Sequence, residues 1–193
     1  MKKASVKIFL LMLPILLAGC LFPRAEYEKT NYFAVGEPEA VKISGAHIAV
    51  GFFNNVTCTT QRIIYRKEYT VFMDNYNKWS QSPDFMVKAY LEGAFENHET
   101  AKKYDLNGSI FIFEIDLERK QAVLGIRYTL SEPATGKLIF ENKAVFKHDY
   151  ETADGPGYAR AMTGNLRSLA LRLAGEINSL GKKPELDKTR KSM

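Results

Sequence analysis

Cysteine, histidine and tryptophan are scarce in this sequence of 193 residues, which holds two Cys, three His and one Trp. Two cysteines can form at most one disulfide, which excludes the small secreted scaffolds that depend on several bridges. The three histidines, His47, His98 and His148, stand far apart, and none has a metal-ligand spacing to another His or to a Cys. The sequence therefore predicts no metal site and no cofactor.

Catalytic motifs are missing as well. The chain has no glycine-rich phosphate loop and no Gly-x-Ser-x-Gly elbow. His148 could in principle act as a base, but no nucleophile can be assigned to it, and we interpret it as structural. Glu114 and Asp116 are expected on the solvated side of a strand, where exposure explains them better than acid–base chemistry. We predict no catalytic residues and no enzyme.

Long apolar runs are also absent. The longest lies between Ile8 and Leu17, interrupted by Pro14, and is shorter than the roughly 20 residues that a spanning helix needs. Lys2, Lys3 and Lys7 give it a basic start. Small residues follow it, so residues 1–19 are predicted to be a signal peptide that is removed on export.

The leader ends in Leu17-Ala18-Gly19-Cys20, which resembles the bacterial lipobox. In signals of that kind the thiol receives diacylglycerol, the leader is cut before the Cys, and the new amino terminus is acylated. The alternative is an ordinary signal peptide that happens to end in Cys. We favour lipidation at Cys20, because the leader, the small residues and the Cys occur together in the right order. Two or more acyl chains would then hold the mature protein stably on a membrane. The two residues directly after Cys20 are Leu21 and Phe22, and neither is Asp. By the same resemblance, this directs the protein to the outer membrane.

Charge is concentrated at the two ends of the chain. The whole sequence carries a net +5, but the leader holds three lysines without an acidic residue. The segment 181–193 holds five basic and two acidic residues, for a further +3. The body between them is therefore left at about −1, which provides no basic face for nucleic acid.

The mature chain divides into a lipidated tether at 20–30, one domain at 31–180 and a disordered basic tail at 181–193. About 150 residues suit a single hydrophobic core. Cys58 is left without an internal partner in a polar, loop-like stretch. A free thiol and a bridge between chains both remain open, and we favour the free thiol.

The first half of the domain has mixed signals. Residues 31–36 and 47–53 read as strands, with a loop at 37–45 between them. Residue types favour two short strands at 63–65 and 69–72, with the turn supplied by Asp74, Asn75 and Asn77. A helix is the alternative, because five aromatic residues recur at gaps of three and four. These aromatics are expected in the core: Tyr65, Tyr69, Phe72, Tyr76 and Trp79.

A first helix is predicted to begin at Pro83, with Ser82 as its N-cap, and to end near Asn97 and His98. One face of it would carry the apolar residues Val87, Leu91, Ala94 and Phe95. A second, longer helix follows Gly157 and ends before Gly181. Its apolar stripe recurs at gaps of three and four. That stripe suits packing on a sheet better than lying on a membrane surface, the alternative that we considered.

Residues 108–148 alternate between apolar and polar side chains, which predicts a three-stranded antiparallel meander with one wet face. The inward set in its first strand is Phe111, Phe113, Ile115 and Leu117. The breaks fall at 119–120 and 132–136. Together these elements predict an α+β fold: a single domain with a mostly antiparallel, mixed sheet packed by two main helices.

With this pattern in place, the chain resembles the ABC-type transport auxiliary lipoproteins, the PqiC-like family. Besides Cys20, the resemblance rests on four segments and on the order of the meander and last helix. The segments are Asn31-Tyr32-Phe33, His47-Ile48-Ala49-Val50-Gly51, Arg62-Ile63-Ile64-Tyr65-Arg66 and Tyr76-Asn77-Lys78-Trp79. Two departures are Ser80-Gln81-Ser82-Pro83, where the family has an Ala-Glu-Pro-Leu-like run, and Phe52-Phe53-Asn54, where it often has a Pro.

The resemblance implies a non-catalytic docking subunit, anchored on the periplasmic face of the outer membrane of a Gram-negative envelope. Its expected partners are an MCE-type periplasmic protein and inner-membrane components of an ABC-type lipid transport system. The alternative is an outer-membrane assembly factor similar to the lipopolysaccharide-assembly lipoproteins. A periplasmic hydrolase and a purely structural lipoprotein are weaker alternatives. The sequence is compatible with a monomer and with a homo-oligomeric ring.

Overall fold

A computed structural model describes residues 28–58, 60–96 and 102–180. The predicted leader, the lipidation site Cys20 and the basic tail lie outside the described residues. The strands are β1 (Asn31–Phe33), β2 (Val41–Lys42), β3 (Ala46–Asn55), β4 (Arg62–Lys67), β5 (Thr70–Trp79), β6 (Phe95–Glu96), β7 (Lys102–Asp116), β8 (Gln121–Ser131) and β9 (Leu138–Asp149). The helices are α1 (Pro83–Ala94) and α2 (Gly155–Leu180).

Seven strands form one mixed sheet around β7. On one side β7 pairs antiparallel with β8, which pairs in turn with β9. On its other side β7 pairs in parallel with β3 along its first half and with β4 at Ile115 and Asp116. β5 and then β1 extend the sheet beyond β4. The predicted class, a single α+β domain with a mixed sheet and two main helices, is confirmed.

Both helices bury their apolar faces against the sheet. The stripe of α2 is almost fully buried at Met162, Leu166, Leu169 and Leu173, so the prediction that it packs on the sheet is confirmed. Because this face is covered, it is not available to lie on a membrane. Within the described ranges, neither helix combines the length and the apolar character needed to cross a membrane.

The meander is present, with an irregularity that the alternation did not reveal. A β-bulge lies between Ile110 and Ile112 in β7. It turns Ile110 inward together with Phe113 and Ile115, and leaves Phe111 partly exposed below the ammonium group of Lys143, 4.5 Å from the ring centre. The prediction of Phe111 as an inward residue is therefore wrong, because one extra residue reverses the alternation of the strand.

The turn between β4 and β5 lies earlier than predicted. The strands are joined by the two-residue loop Glu68-Tyr69, and Glu68 adopts a positive φ of 52°. Asp74 and Asn77 instead lie inside β5, where the register with β4 shifts. These turn-forming residues shape a bulge rather than the hairpin loop, because the Asp74 carboxylate accepts the backbone N–H groups of Tyr76 and Asn77 and the Asn77 side-chain amide within the strand.

Helix α1 begins at Pro83 as predicted, with Ser82 in the N-cap position but without a side-chain capping bond. It ends at Ala94, a few residues before the predicted end. Phe95 is already extended and pairs with Val41 in the small parallel ladder of β2 and β6. The helix ends early because this ladder takes over the backbone at Phe95. His98 lies outside the described residues.

Candidate functional site

The most unusual surface of the domain is the apolar end of the β4–β5 hairpin. Tyr69 is 100% exposed, and Val71 and Phe72 are 42% and 43% exposed. Tyr76 is also exposed farther along β5. The prediction that the aromatic series is core is therefore wrong for Tyr69, Phe72 and Tyr76, and right for Trp79, which is 1% exposed. We call residues 66–73 the hairpin tip.

The hairpin is held in position by a polar cluster around Asp74. The Tyr65 hydroxyl donates to a carboxylate oxygen of Asp74 over 2.9 Å. The backbone N–H groups of Tyr76 and Asn77, and the Asn77 amide, donate to the same carboxylate. Burial and then the bond to Asp74 raise the pKa of Tyr65 far above its ordinary value. Burial would raise the pKa of Asp74, but the donated bonds outweigh it and lower that pKa.

An aromatic contact fixes the same region to helix α2. The Tyr65 ring lies 5.4 Å from Phe72 and 5.7 Å from Tyr158, between ring centres. Tyr158 in turn packs edge-on against Tyr150 at 5.0 Å. Offset and edge-on pairs of this kind contribute beyond simple burial. The base of the hairpin is thus anchored to the core while its tip projects.

The amino-terminal end of the described chain enters the fold beside this hairpin. β1 runs parallel to β5, with Asn31 opposite Asn77 and a side-chain hydrogen bond of 3.2 Å between them. Just before β1, the Glu28 carboxylate accepts a hydrogen bond from the Tyr76 hydroxyl, which raises the pKa of Tyr76. Because the strands are parallel, residues before Asn31 approach from the side of the hairpin tip.

Glu114 is buried, contrary to the expected solvated position. Its carboxylate accepts two hydrogen bonds from the Arg66 guanidinium, from Nη2 at 3.0 Å and from Nε. The hydrogen bond that Arg66 donates to Glu114 raises the pKa of Arg66 above its ordinary value, and burial opposes this effect. Arg66 of β4 covers this carboxylate. The prediction that Glu114 is solvated was wrong because its partner, Arg66, lies 48 residues away in sequence.

Asp116 is also buried rather than solvated, with a side chain that is 7% exposed. It closes the turn between β7 and β8 by accepting the backbone N–H groups of Glu118 and Arg119 and the Arg119 guanidinium, at 2.9–3.1 Å. Burial alone would raise the pKa of Asp116. The bonds from Arg119 and Glu118 outweigh it, so the pKa lies below the ordinary value. This carboxylate serves the turn.

Replacing Asp116 with asparagine is expected to lower the free energy of unfolding at pH 7 by about 1–3 kcal/mol, because one oxygen acceptor and the ion pair are lost. Folding lowers the pKa of Asp116. Its stabilisation is therefore complete above about pH 4, the ordinary Asp value, and is lost as pH falls through the lower folded-state value. Urea unfolding of both proteins at pH 7 and pH 2.5 should show the difference shrinking in acid. Glu118→Gln is the control, and an equal difference at both pH values would contradict the assignment.

Of the three histidines, His47 and His148 lie among the described residues, on the separate strands β3 and β9. His148 is exposed and lies against Gly164 of α2, in a small cavity of about 100 Å³. That cavity is lined by His148, Asp149, Tyr150, Glu151, Gly157, Arg160 and Ala161, with no Ser, Thr or Cys. Across the described ranges, no group of three or more His, Cys, Asp or Glu side chains is arranged to hold a metal ion. The residues that border this cavity beside His148 thus include two carboxylic acids, Asp149 and Glu151, and one tyrosine, Tyr150.

Several open clefts lie on the surface of the described residues. One, of about 610 Å³, is bordered by Phe52, Cys58, Arg62 and Met73 beside the hairpin. Cys58 is a free, exposed thiol. Two grooves of about 450 Å³ flank the strap at residues 34–38, which crosses the helices and is fixed by the Gly36 N–H donating to Thr163 at 2.8 Å. Clefts this open suit contact with another macromolecule better than enclosure of a small ligand.

The chain matches no family model and no curated protein. Solved structures do share its fold. A Xanthomonas campestris protein of the family DUF330, the PqiC-like family, superposes with a TM-score of 0.63 and 14% identity, over 80% of this chain and 97% of that chain. The crystal structure of an uncharacterized protein gives a TM-score of 0.59 and 12% identity, over 78% of this chain and 99% of that one.

These similarities establish the fold: the domain is built like the DUF330 protein over nearly all of that protein's length. The fold implied by the sequence resemblance is thereby confirmed. A PelC dodecamer from Paraburkholderia phytofirmans is more distant, with a TM-score of 0.35 and 15% identity over 75% of this chain and 91% of that chain. A similarity of that size supports no inference about assembly.

Proposed function

We propose that this chain is a lipid-anchored, non-catalytic accessory subunit of an MCE- and ABC-type system that moves lipids between the two membranes of a Gram-negative envelope. Its anchor is Cys20, and its domain lies on the periplasmic face of the outer membrane. The observation that carries the proposal is the combination of a lipobox at Cys20 with a fold shared with a DUF330 protein.

The described surface supports a docking role. Its clefts are open, and the carboxylates of Asp74, Glu114 and Asp116 are engaged in the bulge, the sheet and a turn. A subunit that docks a conduit needs an anchor and a contact surface rather than an active site. The folded body also carries little net charge, so recognition of its partner would depend on shape and apolar contacts.

The test is recovery of the partner from the native envelope. The full-length lipoprotein, carrying a carboxy-terminal tag, is crosslinked mildly in intact cells and purified, and its proteins are quantified by mass spectrometry. An unrelated lipoprotein with the same tag, expressed at the same level, is the control. We expect an MCE-type protein to be enriched at least tenfold over this control, a threshold that corresponds to about 1.4 kcal/mol of specific association.

Recovery of a β-barrel assembly partner instead would favour the alternative role, similar to the lipopolysaccharide-assembly lipoproteins, and would contradict the transport proposal. Recovery of no enriched protein would contradict both. The tail at 181–193 is where the tag is placed, because removal or extension of the chain beyond Leu180 leaves the described core untouched.

A further inference from the structure

The hairpin tip exposes apolar side chains, Tyr69 fully and Val71 and Phe72 in part, with the Phe72 ring also packed on Tyr65. Tyr69, Val71 and Phe72 occur within four positions at the projecting end of two strands. We propose that the hairpin tip inserts into the interfacial layer of the membrane that holds the Cys20 lipid, as a second membrane contact. This inference rests on the proposed lipid anchor at Cys20.

The position of the anchor is the first argument. The described chain begins at Glu28, which contacts Tyr76 of β5, and the parallel pairing of β1 with β5 directs the preceding residues toward the tip. Seven residues lie between Cys20 and Glu28, and these eight Cα–Cα steps span at most about 27 Å in a fully extended chain. Tyr69 lies seven residues along β5 from Tyr76, or about 23 Å. The tether is therefore long enough to place the lipid beside the tip.

The dimensions of the tip suit this role. From Tyr69 to Phe72 the strand advances by about 10 Å, which is close to the 5–10 Å to which interfacial elements bury in the headgroup region. Tyrosine is enriched at this level of a membrane because its ring is apolar and its hydroxyl is polar. Tyr69 leads the tip, with its whole side chain available.

The distribution of the apolar side chains favours a bilayer over a second protein. Successive residues of a strand point to opposite faces. Phe72 lies on the face that carries Tyr65, so Val71 points to the other face, and both are exposed. A flat protein partner would cover one face and leave the other in water. A bilayer surrounds both faces of an inserted hairpin.

The charges at the tip define which lipid is needed. Lys67, which precedes the loop, and Glu68, which lies in it, are both exposed and carry opposite charges that cancel, while Arg66 is paired with Glu114. The contact is therefore apolar, and it requires no anionic headgroup. Vesicles of phosphatidylcholine alone should serve as well as vesicles that contain phosphatidylglycerol.

The experiment reports the depth of the tip. The full lipidated chain is prepared with Tyr69→Trp and reconstituted into phosphatidylcholine vesicles, with and without brominated acyl chains. The emission of unsubstituted protein, in which Trp79 is buried, is subtracted. The control is Leu171→Trp, since Leu171 is an exposed apolar residue on the solvent side of α2, with 54% of its surface accessible. We expect the emission at position 69 to shift by about 10 nm to shorter wavelength and to fall about twofold with brominated lipid, as for an interfacial side chain. The emission at position 171 should not change.

The outcomes separate this inference from the proposed function. If the lipidated chain binds to vesicles but the Trp emission at position 69 is the same as without vesicles, the proposal that the hairpin inserts is wrong, while the lipid anchor is supported. If the chain does not partition into vesicles, both proposals fail. A shift at position 69 that needs no vesicles and grows with protein concentration would assign the hairpin tip to a second copy of the chain and overturn the membrane contact.

Discussion

Replacing Trp79 with alanine is expected to lower the free energy of unfolding by about 3–5 kcal/mol, the usual range for removing a large aromatic side chain from a core. Trp79 is 1% exposed and packs edge-on against Phe113, with 5.3 Å between ring centres. It is also the last residue of β5, and its backbone N–H donates to the Gln61 carbonyl at 2.7 Å. The side chain therefore joins the hairpin to the core.

Chemical unfolding followed by circular dichroism measures this loss without relying on the indole that is removed. Trp79→Phe is the matched control. The Trp79 Nε1 finds no hydrogen-bond partner among the described residues, so phenylalanine removes volume but leaves no partner unsatisfied. We expect Trp79→Phe to cost less than half of what Trp79→Ala costs. A nearly neutral Trp79→Ala would mean that this ring is not part of the core and would reassign it to an interface.

Replacing Cys20 with alanine, behind an ordinary cleavable leader, is expected to move the protein from the membrane pellet to the soluble periplasmic fraction. Burial of acyl chain contributes about 0.8 kcal/mol per CH₂. Two or more chains therefore hold the protein with an energy far above thermal motion, and their removal should lower the membrane-bound fraction at least a hundredfold. The hairpin tip alone supplies too little apolar area to replace them. Immunoblotting of separated fractions measures the change.

The released domain should remain folded, because the described core begins after Cys20 and takes no side chain from it. Its circular dichroism and unfolding midpoint should match those of the lipidated protein in detergent. Leu21→Asp, with Cys20 intact, is the companion variant: it should stay in the membrane pellet but move from the outer- to the inner-membrane fraction. A Cys20→Ala protein that fails to fold would show that the anchor and the domain are not separable.

The elements that could be predicted from the sequence are those whose signals are local. The meander follows from period-two alternation, and α2 follows from a continuous apolar stripe that ends before Gly181. Period and length are sufficient in both cases, since each residue set faces one side of its own element. The start of α1 at Pro83 is local in the same sense.

The errors are of two kinds. Some concern contacts between residues that are distant in sequence, and others concern turn-forming side chains that lie inside a strand. Nothing near Glu114 in the sequence announces Arg66, so its burial was unpredictable. Asp74 and Asn77 are turn formers, yet here the Asp74 carboxylate accepts the Asn77 backbone N–H inside a bulge of β5. The loop Glu68-Tyr69 lacks the glycine or asparagine that marks a hairpin turn. One sequence signal could have located the exposed tip. The charged pair Lys67-Glu68, followed directly by Tyr69, lies between the two strand-like runs.

The parallel pairing of β1 with β5 also imposes an order in time. Asn31 and Asn77 are partners 46 residues apart, and a pair so distant cannot form until the intervening chain is present. In the proposed lipoprotein, whose chain would be exported amino terminus first, β1 cannot pair with β5 until the residues up to Trp79 have been exported. The proposed lipidation at Cys20 would therefore have an interval in which β1 is still unpaired.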